Sequence, residues 1–382
     1  MKNKNILYPA WAEINLANIK FNFLELKRKA GNRVKMLVAV KADAYGHGML
    51  EVSKQLEKCK VEYLGVASVN EALALRKGKV KALILVLGNV YEQNQINQAR
   101  NAQVSLTVAD LAGAKKFNKS AALAGKKIKV HIKIDTGMGR IGIWHETAFA
   151  DILKICKMKN LLVEGIFTHF SSADTDIEFT KKQVLIFETL IKKLNQNNIN
   201  IPLVHAANSS AISRLKDIGT GLFNMVRPGI MVYGMYPCES MKNQVSINLK
   251  PVLELKSRVV YLKQVEPGRT ISYGRTYAVK TKTKIATISI GYADGYVRAL
   301  SNKAHVLIKG KLFPVVGRVC MDQIMVDVGL SSNVKVGDIV TLIGIEQKKA
   351  VYAEKLASLC DTIPYEIVCG ISSRVKRLFK KH

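Results

Sequence analysis

Eight short β-type runs recur between residues 36 and 234, each followed by a polar or amphipathic stretch long enough for a helix. They read MLVAVKA (36–42), YLGVAS (63–68), ALILVLG (82–88), VSLTVAD (104–110), IKVHIKID (128–135), VEGIFTHF (163–170), LVHAAN (203–208) and MVRPGIMVYG (225–234). Between them, HETAFADILKICKM and DIEFTKKQVLIFETLIKKLNQN carry apolar residues three and four apart, the spacing of an amphipathic helix. Eight strand-helix units in about 240 residues match the count and length of a (β/α)8 (TIM) barrel. An open doubly wound sheet is the alternative; eight units without a break favour closure. A barrel places its chemistry where the strands end. Polar residues do end these runs: Lys41, Asp135-Thr136, His169, Asn208-Ser209, and Arg227 before Pro228-Gly229.

After residue 240 the texture changes. Short alternating runs between Pro251 and Gly344, such as VLELKSRVVYLKQV, TKIATISIG and AHVLIKGKLFPVV, are separated by Gly, Pro and Asp turns. A helix is expected at 352–360. The reading is therefore α/β plus all-β: a barrel over residues 1–240 and a mainly antiparallel β-domain over 241–382.

Composition narrows the function classes. With 59 basic and 29 acidic side chains the formal net charge is +30. The lysines are spread along the chain rather than gathered into one arm, and no RNP-like, helix-turn-helix or zinc-finger pattern accompanies them, so no specific nucleic-acid partner is expected. No apolar run approaches the ~18 residues of a membrane span. The start, MKNKNILYPAWAEINL, lacks the apolar stretch of a signal peptide. Six cysteines without a C-x-x-C pair point to reduced thiols in a cytosol and to no metal site.

Three motifs carry chemistry on their own terms. Gly137-Met138-Gly139-Arg140-Ile141-Gly142 fits G-x-G-x-x-G after a strand, so a dinucleotide turn competes with a tight turn that delivers Arg140 to a carboxylate or phosphate. Lys41 closes an apolar strand before a glycine-bearing loop, where a desolvated amine with a lowered pKa could form a Schiff base; a surface lysine is the alternative. In HIKID, alternation puts His131, Lys133 and Asp135 on one face. A buried Lys133 ammonium is costly, so it either pairs with an acid or is chemically altered.

Taken together, AVKADAYGHG around Lys41, KIDTGMGRIG from Lys133, FTHFSSAD around His169, HAANSS at 205–210, VRPGIMVYGMYP at 226–237, ISYGRTY around Tyr273, GYADGYVR at 291–298 and VCMDQIMVDV at 319–328 resemble the alanine racemase family, in order from Trp11 onward. The resemblance implies a fold-type III enzyme that uses pyridoxal 5'-phosphate (PLP), a barrel plus a β-domain, and a cytoplasmic homodimer with shared active sites. It implies an isomerase that interconverts L- and D-alanine by two bases and supplies D-alanine for peptidoglycan in cell wall biogenesis.

The resemblance also distributes roles. Lys41 would hold the cofactor and serve as one base, with Tyr273 as the other; His169 and Arg227 would support them. Arg227 would donate to the pyridine nitrogen, which must then stay unprotonated. Tyr45, Ser209, Gly229, Ile230 and Tyr365 would hold the phosphate. Arg140 and the Met321 amide would take the substrate carboxylate, Tyr292 would narrow the entry, and Lys133 would be N-carboxylated. Asp43 stands where Asn is common in the family. Cys320 is read as a small inert thiol, His47 as a loop-shaping hydrogen bonder, and the basic tail SSRVKRLFKKH as solvated. The rival readings are a broader amino-acid racemase and a non-catalytic PLP-binding protein.

Overall fold

The computed structural model describes residues 8–215 and 221–380; the first seven residues of the leader reading, and Lys381 and His382 of the tail, lie outside the described residues. Strand numbering begins with β1 (Ala10–Asn15). The ring that follows is built from β2 (Lys35–Ala39), β3 (Tyr63–Val66), β4 (Leu83–Asn89), β5 (Ser105–Val108) and β6 (Ile128–Asp135). It continues, past the two-residue β7 (Ile143–Trp144), with β8 (Leu161–Phe167), β9 (Leu203–His205) and β10 (Met225–Val226). The eight ring strands pair in parallel in the order β5-β4-β3-β2-β10-β9-β8-β6, and β5 also pairs with β6, which closes the barrel.

Each strand turns one set of side chains inward and the other against the helices, as the two-residue period requires. Leu37, Tyr63, Leu85, Leu203 and Met225 form a separate buried cluster inside the ring. Their alternates, among them Met36, Val38, Leu64, Val66, Ile84 and Val86, join the large core shared with the helices. The expected helices are present at His145–Cys156 and Ile177–Gln196, the latter capped by Asp176, whose carboxylate accepts from the Phe179 amide at 2.9 Å. Among the described residues no helix is long and apolar enough to cross a membrane.

The second unit is a sheet organised around β11 (Leu253–Val265), which pairs antiparallel with Ile339–Glu346 and Thr283–Ile288. Two features depart from the sequence expectations. β1, inside the stretch assigned to the barrel, belongs instead to this sheet: it pairs antiparallel with β11 and parallel with Lys376–Lys380. Long-range pairing decides this, reinforced by Glu13, whose carboxylate accepts from Lys256 at 2.8 Å and Lys380 at 2.5 Å across the three strands. Nor is the basic tail a solvated end. Lys376–Lys380 is an edge strand, and Arg377 donates to the Gly46 carbonyl at 3.0 Å and the Ile371 carbonyl at 2.7 Å.

Candidate active site

At the C-terminal mouth of the barrel a cavity of about 200 Å³ is lined by Lys41, Tyr45, Lys133, Arg140, His169, Asn208, Ser209, Arg227, Gly229 and Tyr365, with Ala39, Leu87, Ile141 and Phe167 between them. Four of these side chains are cations in their ordinary state and none is a carboxylate. Burial and mutual repulsion lower the proton affinities of Lys41, Lys133 and Arg227. The Lys41 amine falls below the usual lysine range, first by burial and then through Arg140. Lys133 is pushed down to about 7 by burial and then by Arg227. Arg227, fully enclosed, stays a cation, since a guanidinium keeps its proton at neutral pH. An excess of positive charge around a small space is the signature of an anion's seat.

Arg227 is held from several sides. Its Nη2 donates to the carbonyls of Thr168 (2.6 Å) and Ala206 (2.9 Å) and, at 3.3 Å, to His169 Nδ1. Its Nη1 lies 2.9 Å from His205 Nδ1, which lies on a ring stacked against Phe167 at 4.8 Å. A guanidinium can only donate, so His205 must accept there and carry its proton on Nε2, which reaches His131 Nδ1 at 2.9 Å. Both imidazoles are buried, and burial holds His131 down to about 3. These two neutral rings were not singled out for a role by sequence reasoning. Period-two alternation from Lys133 places His131 on the inward face, but nothing in sequence pairs it with His205.

Lys133 forms no ion pair with an acid among the described residues. Its Nζ donates to the Ile134 carbonyl at 2.7 Å and lies 5.6 Å from the Phe167 ring centre. The nearby Asp135 is engaged elsewhere. Burial alone would raise its pKa, but amide hydrogen bonds outweigh that and lower it. Its Oδ1 accepts from the amides of Gly137 (2.9 Å), Met138 (2.9 Å) and Gly139 (3.2 Å), and its Oδ2 from Arg140 (3.2 Å). This decides the competition over the G-x-G-x-x-G match: the loop amides are filled by the chain's own carboxylate, leaving no pyrophosphate nest. The left-handed Gly137 (φ 124°) and Gly139 (φ 68°) bend the loop so that Arg140 faces the cavity.

On the opposite wall two chain turns converge. Ser209 begins a short helix capped by Asn208, and its hydroxyl accepts from the Gly229 amide at 2.9 Å. Gly229 precedes the turn Ile230–Tyr233, with Ile230 fully buried beneath it. A Cβ on Gly229 would lie 2.7 Å from the Tyr45 hydroxyl, so glycine is what lets that hydroxyl approach the peptide. Tyr365 packs against Tyr45 with ring centres 5.8 Å apart, and burial raises both phenols, keeping them protonated donors. Hydroxyls, a close-approach glycine and surplus cations fit a phosphate-bearing cofactor.

Lys41 leads into an unusual turn. Ala42, Asp43, Ala44 and Tyr45 all adopt left-handed backbone angles, φ 52–54° and ψ 42–54°, without a glycine among them. At about 1–2 kcal/mol per residue, four such residues cost on the order of 4–8 kcal/mol, which the surroundings must offset. His47 contributes, as expected of a loop-shaping group. It is buried and held down to about 4 by desolvation, and its Nδ1 sits 2.7 Å from the Tyr45 carbonyl, which only a protonated Nδ1 satisfies. Glu71, unmarked in sequence, accepts from the Ala42 amide at 2.7 Å.

Four predicted site residues do not line this cavity: Ile230, buried behind Gly229, and three from the second unit. Tyr273 (72% exposed), Tyr292 (43%) and Met321 (53%) lie on one face of the β-domain. Backbone bonds knit them together: the amides of Tyr292 and Ala293 donate to the carbonyls of Cys320 and Met321, each at 3.0 Å, and Ser272 Oγ donates to the Arg318 carbonyl at 2.7 Å. Cys320 Sγ sits 3.4 Å from Ser272 Oγ, and no histidine among the described residues bonds to it. The chain thus presents two clusters, one enclosed and one open.

A closed parallel barrel with its reactive groups at the C-terminal mouth, joined to an antiparallel domain, defines a barrel enzyme of two cooperating units. The family models for the N-terminal and C-terminal domains of alanine racemase match residues 14–237 and 252–379. An alanine racemase of Halothermothrix orenii is 46% identical over 379 residues, covering 99% of this chain and 98% of the relative. Among solved structures, alanine racemase of Clostridium difficile 630 superposes with a TM-score of 0.92 at 42% identity, covering 99% of this chain and 97% of that one. One from Bartonella henselae, with covalently bound pyridoxal phosphate, superposes at 0.86 and 27% identity, covering 97% and 99%. The chain belongs to the alanine racemase family and is a racemase, an isomerase.

Proposed function

We propose that this racemase interconverts L- and D-alanine with PLP, using one base from each of two subunits of a cytoplasmic homodimer, and that its product feeds peptidoglycan synthesis. The units divide near residue 240, with β1 lent to the second. The observation that carries the reading is the mouth itself: two amines of lowered proton affinity, Lys41 and Lys133, in a cationic cavity without a carboxylate, beside a close-approach glycine.

When bound, the cofactor supplies an electron sink for the negative charge left on the substrate's α-carbon. Every other step falls to the chain. Lys41 attaches the cofactor and, once released, moves a proton at the α-carbon from one side, a task its lowered proton affinity suits. Arg227, fixed by four partners, can only donate, so it would hold the cofactor's pyridine nitrogen as an acceptor and favour a weaker electron sink. Tyr45, Ser209, Tyr365 and the Ile230 amide would hold the phosphate, with Gly229, whose own amide is taken by the Ser209 hydroxyl, leaving room for its approach.

Arg140 and the Met321 amide bind the substrate carboxylate. Tyr273, exposed in one chain, serves as the opposite base in a second copy, and Tyr292 narrows the entry beside it. His169 accepts from Arg227 at Nδ1, so its Nε2 proton is free to steady the Tyr273 phenolate. Lys133, with a pKa near 7 and no acid partner, has enough neutral amine to attack carbon dioxide; the N–C bond forms and one proton leaves to water, giving an anion that orients Arg140.

The visible spectrum of purified protein, with PLP supplied, tests the reading. A chromophore that borohydride fixes on Lys41, together with loss of optical rotation from L-alanine ahead of L-serine and L-lysine, supports it. Absence of that adduct sinks it, and equal rates on the three substrates replace it with a broader racemase.

A further inference from the structure

The left-handed turn after Lys41 has many anchors, but they concentrate at its far end. Asp43 Oδ1 accepts from the Met49 amide at 2.8 Å, the Asp43 carbonyl from Gly48 at 2.9 Å, the Tyr45 carbonyl from His47, and the Gly46 carbonyl from Arg377. At the near end, directly after Lys41, the one side-chain bond among the described residues is Glu71. Its Oε1 takes the Ala42 amide at 2.7 Å and its Oε2 takes the Ala67 amide at 2.6 Å. One carboxylate therefore ties the exit of β2 to the exit of β3. Its own backbone is fixed in turn, because Ser68 caps the helix Val69–Lys77 by accepting from the Glu71 amide at 3.3 Å.

Charge adds a second strand. Around Lys41 stand Arg140, Arg227 and Lys133, the neutral His169, the phenols of Tyr45 and Tyr365, and the Cys369 thiol. Against the cations, Glu71 is the carboxylate that favours the ammonium form. An acid that grips the adjoining amide is placed to govern both where the amine projects and how readily it gives up its proton.

We propose that Glu71 is a positioning residue for Lys41: through the Ala42 amide it fixes the backbone from which the amine projects, and its charge offsets the cationic mouth. The proposal rests on the reading of Lys41 as the reacting amine, yet its test does not need turnover.

The full chain is freed of PLP and labelled with trace acetic anhydride across pH 6 to 11, and modification of the Lys41 peptide is followed by mass spectrometry. Glu71→Gln keeps the shape and loses the charge; the Lys41 midpoint should fall by about 0.5–1 pH unit. Glu71→Ala should shift it equally and speed hydrogen exchange at the Ala42 amide by about tenfold or more. Glu71→Asp, charged but shorter, should hold the midpoint while losing amide protection. If Glu71→Ala does not fold, Glu71→Gln and Glu71→Asp carry the test. An unmoved midpoint in Glu71→Gln, or Ala42 exchange unmoved in Glu71→Asp, overturns the proposal. A midpoint that shifts in protein lacking a borohydride adduct on Lys41 would sustain the Glu71 link while removing the racemase mechanism.

Discussion

At the barrel mouth the candidate side chains converge on one cavity, with Arg227 held by four partners and Lys133 buried, whereas on the β-domain Tyr273, Tyr292 and Met321 face solvent. The contrast is one of preorganisation. Cationic groups confined together are costly to hold but ready to bind an anion. An exposed phenol contributes nothing until a surface covers it. A single chain thus holds two unlike halves, and the reading above makes each complete only against the other half of a second copy.

Subunit mixing is the strongest way to break this comparison. Lys41→Ala and Tyr273→Phe should each lose about 10³-fold or more in kcat. Unfolded and refolded together, the two inactive chains should recover about a quarter of parental activity, because half the dimers then hold one intact site of two. No recovery would place both bases in one chain. Lys133→Met bears on the enclosed half alone and should cost about 10–100-fold, and the parental Lys133 peptide should be about 44 Da heavier under bicarbonate. An unmodified peptide with unchanged activity would leave Lys133 as a merely buried amine.

Smaller effects sharpen the contrast further. Gly229→Ala pushes a methyl against the Tyr45 hydroxyl and should weaken PLP binding by about tenfold in a fluorescence titration, with Tyr273 chemistry untouched. The smallest effect is on stability. His47 and His131 are buried neutral, with pKa values of about 4 and about 3 against ~6.5 unfolded. The unfolded chain then binds more protons as pH falls below ~6.5, so stability drops on acidification, by about 2 kcal/mol for His47 at pH ~5. Thermal melts from pH 7 to 5 should show the loss, and His47→Asn should remove its own share of about 2 kcal/mol while His131 keeps the remainder; a parental melt flat over that range contradicts the buried neutral rings.

Much of the barrel was legible because each strand advertises itself locally: an apolar run, then Lys41, Asp135, His169, Ser209 or Arg227 at its end. Alternation likewise put His131, Lys133 and Asp135 on one face, and it took the structure to show Lys133 on the cavity side. What stayed hidden depends on distant partners. Four left-handed residues in Ala42–Tyr45 contradict local preference, and what holds them, Glu71 and Arg377, comes from elsewhere in the chain. β1 has the alternation of any half-buried strand, so only its neighbours reveal its sheet. The tail was misjudged because its lysines and arginines suggest a wet surface, while the stems and carbonyl bonds of Arg377 are half-buried.

The place of β1 between β11 and Lys376–Lys380 also orders the birth of the molecule. β1 is made before all eight barrel strands, yet both of its sheet partners are made after them. The barrel can assemble on the nascent chain, but the knot of Glu13 with Lys256 and Lys380 ties only once the last of these strands has followed it. A chain lacking Lys376–Lys380 would leave β1 as an open edge of its sheet.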